Sequence, residues 1–287
     1  MGSLSAGATL ALAAAVAWSL YDLARRLLTG RMSAWALVVW VTLGALPVVV
    51  VWGLAAGDWR LEAGYWLPGL SSTLLNVAAN FLYFRSFQLS PISVTLPMLS
   101  LTPVFSSLLG AAVLHQPVGG RAAAGIALVV AGAALLAAAG AGPGRLRRIE
   151  PGSVLMALVA LCWSTTLLLD RVAIEHASVP LHALVLNAGV AAGGLLALAA
   201  LRRTGELGSV RGNLRLLVVS VIVGVGALGL QLEAIRRVPI GAVETLKRGV
   251  GGLFAVVWGR AFFAEPVNAR KLAAVALLGL GVALILL

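Results

Sequence analysis

A chain of 287 residues that is 61% hydrophobic and 11% charged, with a mean hydropathy of +1.02, carries more apolar side chain than a water-soluble domain needs for one core. The composition identifies an integral membrane protein and excludes a soluble enzyme or binding module. The net charge of +11 is scattered singly along short connections without interleaved aromatics, so it argues against nucleic acid as a partner.

Ten apolar stretches of roughly 15 to 22 residues are marked off by charged residues, Gly or Pro, and about 20 residues cross a ~30 Å hydrocarbon layer as helix. They run approximately over 7–28, 33–54, 64–86, 92–113, 121–140, 152–170, 180–201, 214–235, 239–262 and 268–287. Their continuous Ala, Leu and Gly content, without alternation, excludes a barrel. The expected fold class is an all-α membrane protein with ten transmembrane helices.

In the first span, no basic segment precedes the apolar run, and Trp18, Asp22 and Arg25-Arg26 do not form a small-residue cleavage site. It is expected to remain in the mature protein. Asp22 with Arg25 and Arg26, and Asp170 with Arg171 at the end of the sixth span, read as solvated head-group anchors, with a gate as the alternative. In the third span Asn76, Asn80, Tyr83 and Phe87 fall at i, i+4, i+7 and i+11, a polar-aromatic stripe that fits a cavity wall. Helix-to-helix hydrogen bonding is the competing explanation for the two asparagines.

Pro97 and Pro103 are expected to bend the fourth span and free carbonyls toward a cavity or hinge. The single cysteine, Cys162, forms no internal disulfide. His115, His176 and His182 lie near loop ends and read as surface residues, and no Cys/His cluster has metal-ligand spacing. Neither a metal nor another cofactor is expected. Arg236 and Arg237 at the end of the eighth span are again anchors or gate residues.

The ninth span carries the most informative segment, Glu244-Thr245-Leu246-Lys247-Arg248-Gly249. It sets three ionisable side chains roughly 8 to 15 Å inside a membrane helix. A charge near the bilayer centre costs at least about 2.5 kcal/mol, so it is kept where it faces protein, water or a ligand. Glu244 and Arg248 are spaced for an i,i+4 ion pair, which leaves Lys247 over. Glu244, Lys247, Arg248, Gly251, Ala255 and Gly259 share one helix face, with Leu246, Val250, Leu253 and Val257 opposite. Gly251 either lets a neighbouring helix approach or leaves space for a ligand.

The chain repeats itself. Ala17-Trp18-Ser19 recurs as Cys162-Trp163-Ser164, Ser90-Pro91-Ile92 as Val238-Pro239-Ile240, and His115-Gln116-Pro117-Val118 as Ala264-Glu265-Pro266-Val267, at offsets of 145, 148 and 149. The same offset aligns Tyr83 with Gln231, and Trp18 and Trp163 become mates that read as cavity-end aromatics or as interfacial tryptophans. Two units are expected, 1–143 and 144–287. Five spans each is an odd number, so the halves enter the membrane with opposite orientation, the inverted-repeat device of transporters. Of the basic residues in the connections, about fourteen lie in the odd-numbered ones and about five in the even-numbered ones. That bias places the odd connections in the cytoplasm and both termini outside.

The Glu265-Pro266 turn followed by the spaced glycines of Leu278-Gly279-Leu280-Gly281-Val282 resembles the repeat signature of the drug/metabolite transporter superfamily, EamA type. The first half keeps it as Gln116-Pro117 with Gly125 and Gly132. The resemblance covers essentially the whole chain and implies ten helices in two inverted five-helix repeats. Lys247-Arg248, with Pro266-Val267-Asn268-Ala269 behind it, is also similar to plastid sugar-phosphate/phosphate translocators, in which the Lys-Arg pair binds substrate phosphate. Ser93, Thr95 and Pro103-Val104-Phe105-Ser106 stand at family-like spacing, but Leu99 occupies the place of a further phosphate-binding lysine.

The expected function is a secondary transporter that moves a small metabolite bearing an anionic group by alternating access. The candidate substrate-binding residues are Lys247, Arg248, Glu244, Asn76, Asn80, Tyr83, Trp18, Trp163 and Gln231, with Pro97, Pro103 and Gly251 as hinge or gating positions. No Gly-rich loop ending in Gly-Lys-Ser/Thr is present, so a proton or a counter-substrate is left as the energy source. An exporter of amino acids or amphipathic drugs, with a zwitterionic substrate, is the alternative. A lipid flippase or membrane enzyme is a third reading, although no nucleophile-base pair or metal cluster points to catalysis. Arg over Lys usage with Ala/Gly richness indicates a bacterial plasma (inner) membrane.

Overall fold

The computed structural model describes residues 2–29, 31–90, 96–140, 151–210, 212–264 and 267–286. Ten α-helices lie among them: α1 (Gly2–Thr29), α2 (Ala34–Ala56), α3 (Trp66–Leu89), α4 (Thr102–Val113), α5 (Gly120–Gly140), α6 (Pro151–His176), α7 (Val179–Ala200), α8 (Leu214–Ile235), α9 (Ile240–Phe263) and α10 (Ala269–Leu286). α1, α2, α6, α7, α8 and α10 are long and apolar enough to cross a membrane by length and composition alone. α3 and α9 are long enough, but the asparagines of the one and the charges of the other dilute their apolar content. The protein is a multi-pass, all-helical membrane protein.

Helix ends follow local chemistry. The Ser33 side chain accepts from the Ala36 amide at 3.2 Å and opens α2, and Gly57 at φ 62° closes it in the left-handed conformation that only glycine adopts freely. The fourth span is broken: a 3₁₀ stretch, Leu96–Leu101, precedes α4, and Pro103 sits in the first turn of α4, where its missing N–H costs nothing. Carbonyls near the break are taken by side chains. Thr102 Oγ1 donates to Leu99 O at 2.8 Å, and Ser164 Oγ donates to Thr102 O at 3.1 Å. Pro91-Ile92, Ser93, Thr95 and Glu265-Pro266, singled out from sequence, lie outside the described residues, as do Arg145, Arg147, Arg148 and Arg211.

The packing has the symmetry of the repeat. α5 lies along α10, α3 along α6, α1 along α8, α2 along α7 and α4 against α9. Exchanging each helix for the one five places away returns the same pairs. His115 and Ala264, which lead the repeated motif, have φ of 51° and 52°, so both halves turn through the same left-handed residue. The α5–α10 crossing is equally symmetric. A Cβ on Gly125 would stand 2.9 Å from Gly281 O, one on Gly281 would stand 2.8 Å from Gly125 O, and one on Gly132 would stand 3.1 Å from Ala274 O. Glycine allows two backbones to touch there, the small-residue packing that lipid surroundings favour.

Two expectations from sequence are corrected. α6 continues through His176, so Asp170 lies inside the helix and not at its end; it is 4% exposed. His182 is 0% exposed and is not a surface residue. Both are buried because the connection preceding α3 folds over the α6–α7 turn, where Ser178 N donates to Arg60 O at 2.9 Å and Glu62 N donates to His176 O at 2.8 Å.

Candidate functional site

α9 begins behind Pro239, and the Gln116 side chain accepts from the Ile240 amide at 3.1 Å, which satisfies one of the donors a helix start leaves open. One turn later Glu244 is 3% exposed. Its Oε1 is in direct contact with Lys247 Nζ, and its Oε2 lies 3.6 Å from Arg248 Nε. One carboxylate thus meets two cations. Lys247 also donates to Gln231 Oε1 of α8 at 3.0 Å and lies 5.4 Å from the ring centroid of Trp18 on α1, within reach of a cation–π attraction. Arg248 Nε donates to Thr102 Oγ1 of α4 at 2.9 Å. Four helices therefore converge on the segment singled out from sequence.

The two cations are partly exposed and the carboxylate is not. The Lys247 and Arg248 side chains keep 19% and 23% of their surface exposed, while that of Glu244 keeps 4%. Asp22 of α1 interacts electrostatically with Lys247 and Arg248 as well as with Arg25, its ion-pair partner at 4.0 Å. Its side chain is 67% exposed. Tyr83 shares the field of Arg248 and Arg25, and its ring lies 5.6 Å from that of Trp163. Trp18 meets Tyr21 edge-on at 5.5 Å. Its indole Nε1 is buried and has no hydrogen-bond partner among the described residues. A buried N–H without an acceptor costs about 1–3 kcal/mol.

A family model described as "EamA-like transporter family" matches residues 5–138 and, a second time, 150–287. The chain belongs to the EamA-like transporter family. It is a membrane transporter of the drug/metabolite kind with two-repeat architecture, and members of the family are transporters and not enzymes. Its surroundings are a lipid bilayer, and its substrate is a small molecule. A solved structure described as "Crystal structure of protein" is similar in fold at a TM-score of 0.79 and 21% identity, covering 98% of this chain and 97% of that one. No curated protein matches the chain.

The remaining candidates of this EamA-like transporter are distributed unevenly. Asn76 Nδ2 donates to Ser72 O at 3.2 Å and Asn80 Nδ2 donates to Asn76 O at 2.8 Å, so both amides bond to their own helix. Asn80 lines an apolar cleft between α2, α3 and α7 with Trp35, Phe81 and Gly193. Pro97 lies in the 3₁₀ stretch, and Leu99 packs on Met156, Val159 and Ala160 in an apolar cluster. A Cβ on Gly251 would meet nothing within 4 Å, whereas at Gly249 it would stand 2.4 Å from Val282 and at Gly252 2.6 Å from Leu278. The flanking glycines serve packing, and Gly251 leaves space one turn beyond Lys247.

Sequence reasoning missed Thr102, and it read Asp22 and Arg25 as head-group anchors with a gate as the alternative. The signal for Thr102 was its place before Pro103, at a helix start where a hydroxyl near broken backbone is common. Asp22 could have been found from its wheel position, one turn from Trp18. Arg26, the neighbouring charge, stands over the Phe263 ring at 4.0 Å and ties the end of α1 to that of α9.

The space beside Gly251 gives a direct expectation. Gly251→Ala should elute and unfold like wild type, because its Cβ displaces no neighbour, and Gly251→Leu fills the space beyond it. Gly251→Leu should lower transport of any accepted solute by about tenfold or more, the effect of ~1.4 kcal/mol of obstructed binding. Uptake at the wild-type rate would show that the space beside Gly251 is not on the transport path.

Proposed function

We propose that this chain is a secondary active transporter that moves a small metabolite bearing an anionic group by alternating access, with Lys247 and Arg248 as the docking point. The carrying observation is the charge balance of the buried cluster. Glu244 faces two cations, so one net positive charge is held inside the bundle beside the unpartnered Trp18 indole N–H. A carboxylate or phosphate satisfies both, with Arg248 offering a planar fork and Lys247 a point charge. Trp18, Tyr83 and Trp163 are proposed to flank the substrate, and Gln231 to hold Lys247 when the site is empty.

Ten membrane-spanning helices in two inverted units, 1–143 and 144–287, are proposed around this site. The reciprocal helix pairs and the two left-handed turns at His115 and Ala264 support that arrangement. The bacterial inner membrane is proposed as the location, with both termini outside on the basis of the arginine distribution. A C-terminal reporter active only outside the cytoplasm should then be active, and a cytoplasmic signal reverses the orientation.

Asp22 favours a second reading. Its open carboxylate within the electrostatic reach of Lys247 and Arg248 gives the cavity a negative pole, which suits the ammonium of a zwitterion exported as an amino acid. Proteoliposomes loaded with anionic or zwitterionic counter-substrates distinguish the two. Lys247→Ala and Arg248→Ala should each lower exchange of the accepted solute by about tenfold or more, the worth of one charge-assisted hydrogen bond. If both variants exchange at the wild-type rate, the docking point is elsewhere. Preference for zwitterions, lost in Asp22→Asn, selects the second reading.

A further inference from the structure

A second buried polar cluster lies apart from the proposed docking point. His182 Nε2 and Asp170 Oδ1 are 3.0 Å apart, Tyr65 Oη and His182 Nδ1 are 3.0 Å apart, and Ser72 Oγ donates to the same Asp170 oxygen in a very short contact. Ser72, His182 and Tyr65 are each 0% exposed. Three of these four side chains titrate, and they come from α6, α7, the start of α3 and the short 3₁₀ turn Ala63–Tyr65 before it.

Asp170 differs from Glu244 in one respect. Glu244 faces a lysine and an arginine, whereas among the described residues the only ion-pair partner of Asp170 is His182. The adjacent Arg171 is engaged by Glu175 at 2.5 Å. α4 and the Leu96–Leu101 stretch, both packed on α6, bring no titratable side chain, nor does α2, packed on α7; α7 brings only His182, and the Thr204–Val210 turn at its far end brings Glu206, held by Arg203. On α3 the remaining titratable groups, Tyr83 and Arg85, belong to its other end. α8 contributes Arg215 in its first turn and Glu233 in its last, where Glu233 is held by Arg236 and Arg237 at 3.3 and 3.7 Å. On the surface above, Glu62 meets His176 at 3.1 Å and Arg60 at 3.1 Å.

We propose that Asp170 and His182 form a proton-binding site whose occupancy controls the clamp between the 57–65 connection and the α6–α7 turn. With a neutral imidazole, the acceptor-only carboxylate takes Nε2–H, and Nδ1 accepts from the Tyr65 hydroxyl. That state buries one uncompensated negative charge, which a low-dielectric interior tolerates poorly. One added proton removes it. A hydronium ion that reaches the site while the clamp is open protonates Nδ1 and leaves as water, giving an imidazolium bonded to the carboxylate, with Nδ1–H then donating to the oxygen of the un-ionised Tyr65 phenol. The closed clamp is the protonated state; loss of the proton to water leaves a charge that is relieved by hydration, and the clamp opens. A tie with a purely mechanical role has no such dependence.

Ser178 reports on the clamp, because it is 3% exposed, its amide is bonded to Arg60 O, and its hydroxyl has no partner to lose. The experiment uses the full chain in liposomes with Cys162→Ser, and compares labelling of Ser178→Cys by a membrane-impermeant maleimide with that of Asp58→Cys, an exposed position in the same connection. The ratio of the two rates should rise at least about threefold between about pH 5 and pH 8, where imidazole titrates. Asp170→Asn and His182→Gln should each abolish that rise. A ratio unchanged with pH in the otherwise wild-type chain, or a rise that persists in Asp170→Asn, overturns the proposal. If those variants do not fold, nitrogen-15 histidine spectra of the unaltered protein decide. A His182 ring that changes protonation over this range supports the site, and one fixed in a single form refutes it.

Discussion

Glu244→Ala should lower stability by about 3–5 kcal/mol, while Lys247→Met should unfold within about 1 kcal/mol of wild type and yet fail to transport. The asymmetry follows from counting charges at the buried cluster. The native group holds one carboxylate against two cations. Removing Glu244 leaves both cations uncompensated in a bundle surrounded by lipid, and removing Lys247 leaves Glu244 still facing Arg248 at 3.6 Å. The double variant Glu244→Ala with Lys247→Met should recover about half of the loss, since it returns the cluster to one net charge. Such non-additivity is expected of residues in one network. Thermal unfolding of the four proteins in one detergent measures it, and equal transitions for the two single variants would show that the cluster is hydrated enough to make its balance irrelevant.

Gly281→Leu should prevent assembly of the two halves, at a cost of about 3 kcal/mol or more. A Cβ at this position would lie 2.7 Å from Val129 Cγ2, 2.8 Å from Gly125 O and 3.0 Å from Val129 N. Two of these neighbours are backbone atoms of α5, which cannot swing aside as a flexible side chain can. Moving α10 outward to relieve them would open the α5–α10 pairing between the halves. Gly279→Leu, two residues earlier, is the control, because a Cβ there meets nothing within 4 Å. Low yield of folded protein for Gly281→Leu with normal yield for Gly279→Leu is the expected pattern; equal yields would mean the crossing is loose.

The glycines show how far sequence reasoning reaches. Spaced glycines in the fifth and tenth spans carried the resemblance to the repeat signature, and the structure shows what Gly125, Gly132 and Gly281 do there: they let two helix backbones touch. The same reasoning could not distinguish Gly251 from Gly249, since a wheel gives a direction and not what lies in it. Charges show the same limit. Glu244, Lys247 and Arg248 were legible because their spacing on one helix is local and their cost in lipid is large. Asp170 was read as an exposed helix end, and His182 as surface, because their partners Ser72 and Tyr65 lie about a hundred residues away and the covering connection is short and polar.

From its sequence alone, this chain was determined to be an integral membrane protein built of a duplicated helical unit, with an anomalous charge cluster in the ninth span. These are consequences of composition, periodicity and the energetic cost of charge in hydrocarbon, all of which act along the chain. Only the tertiary structure decided that Thr102 and Gln231 hold the two cations, that Asp22 interacts electrostatically with both, that a Cβ on Gly251 would meet nothing within 4 Å, and that Asp170 and His182 meet beneath the 57–65 connection. Each of these depends on which helices become neighbours. That is set by shape complementarity between distant segments, and no single segment carries it.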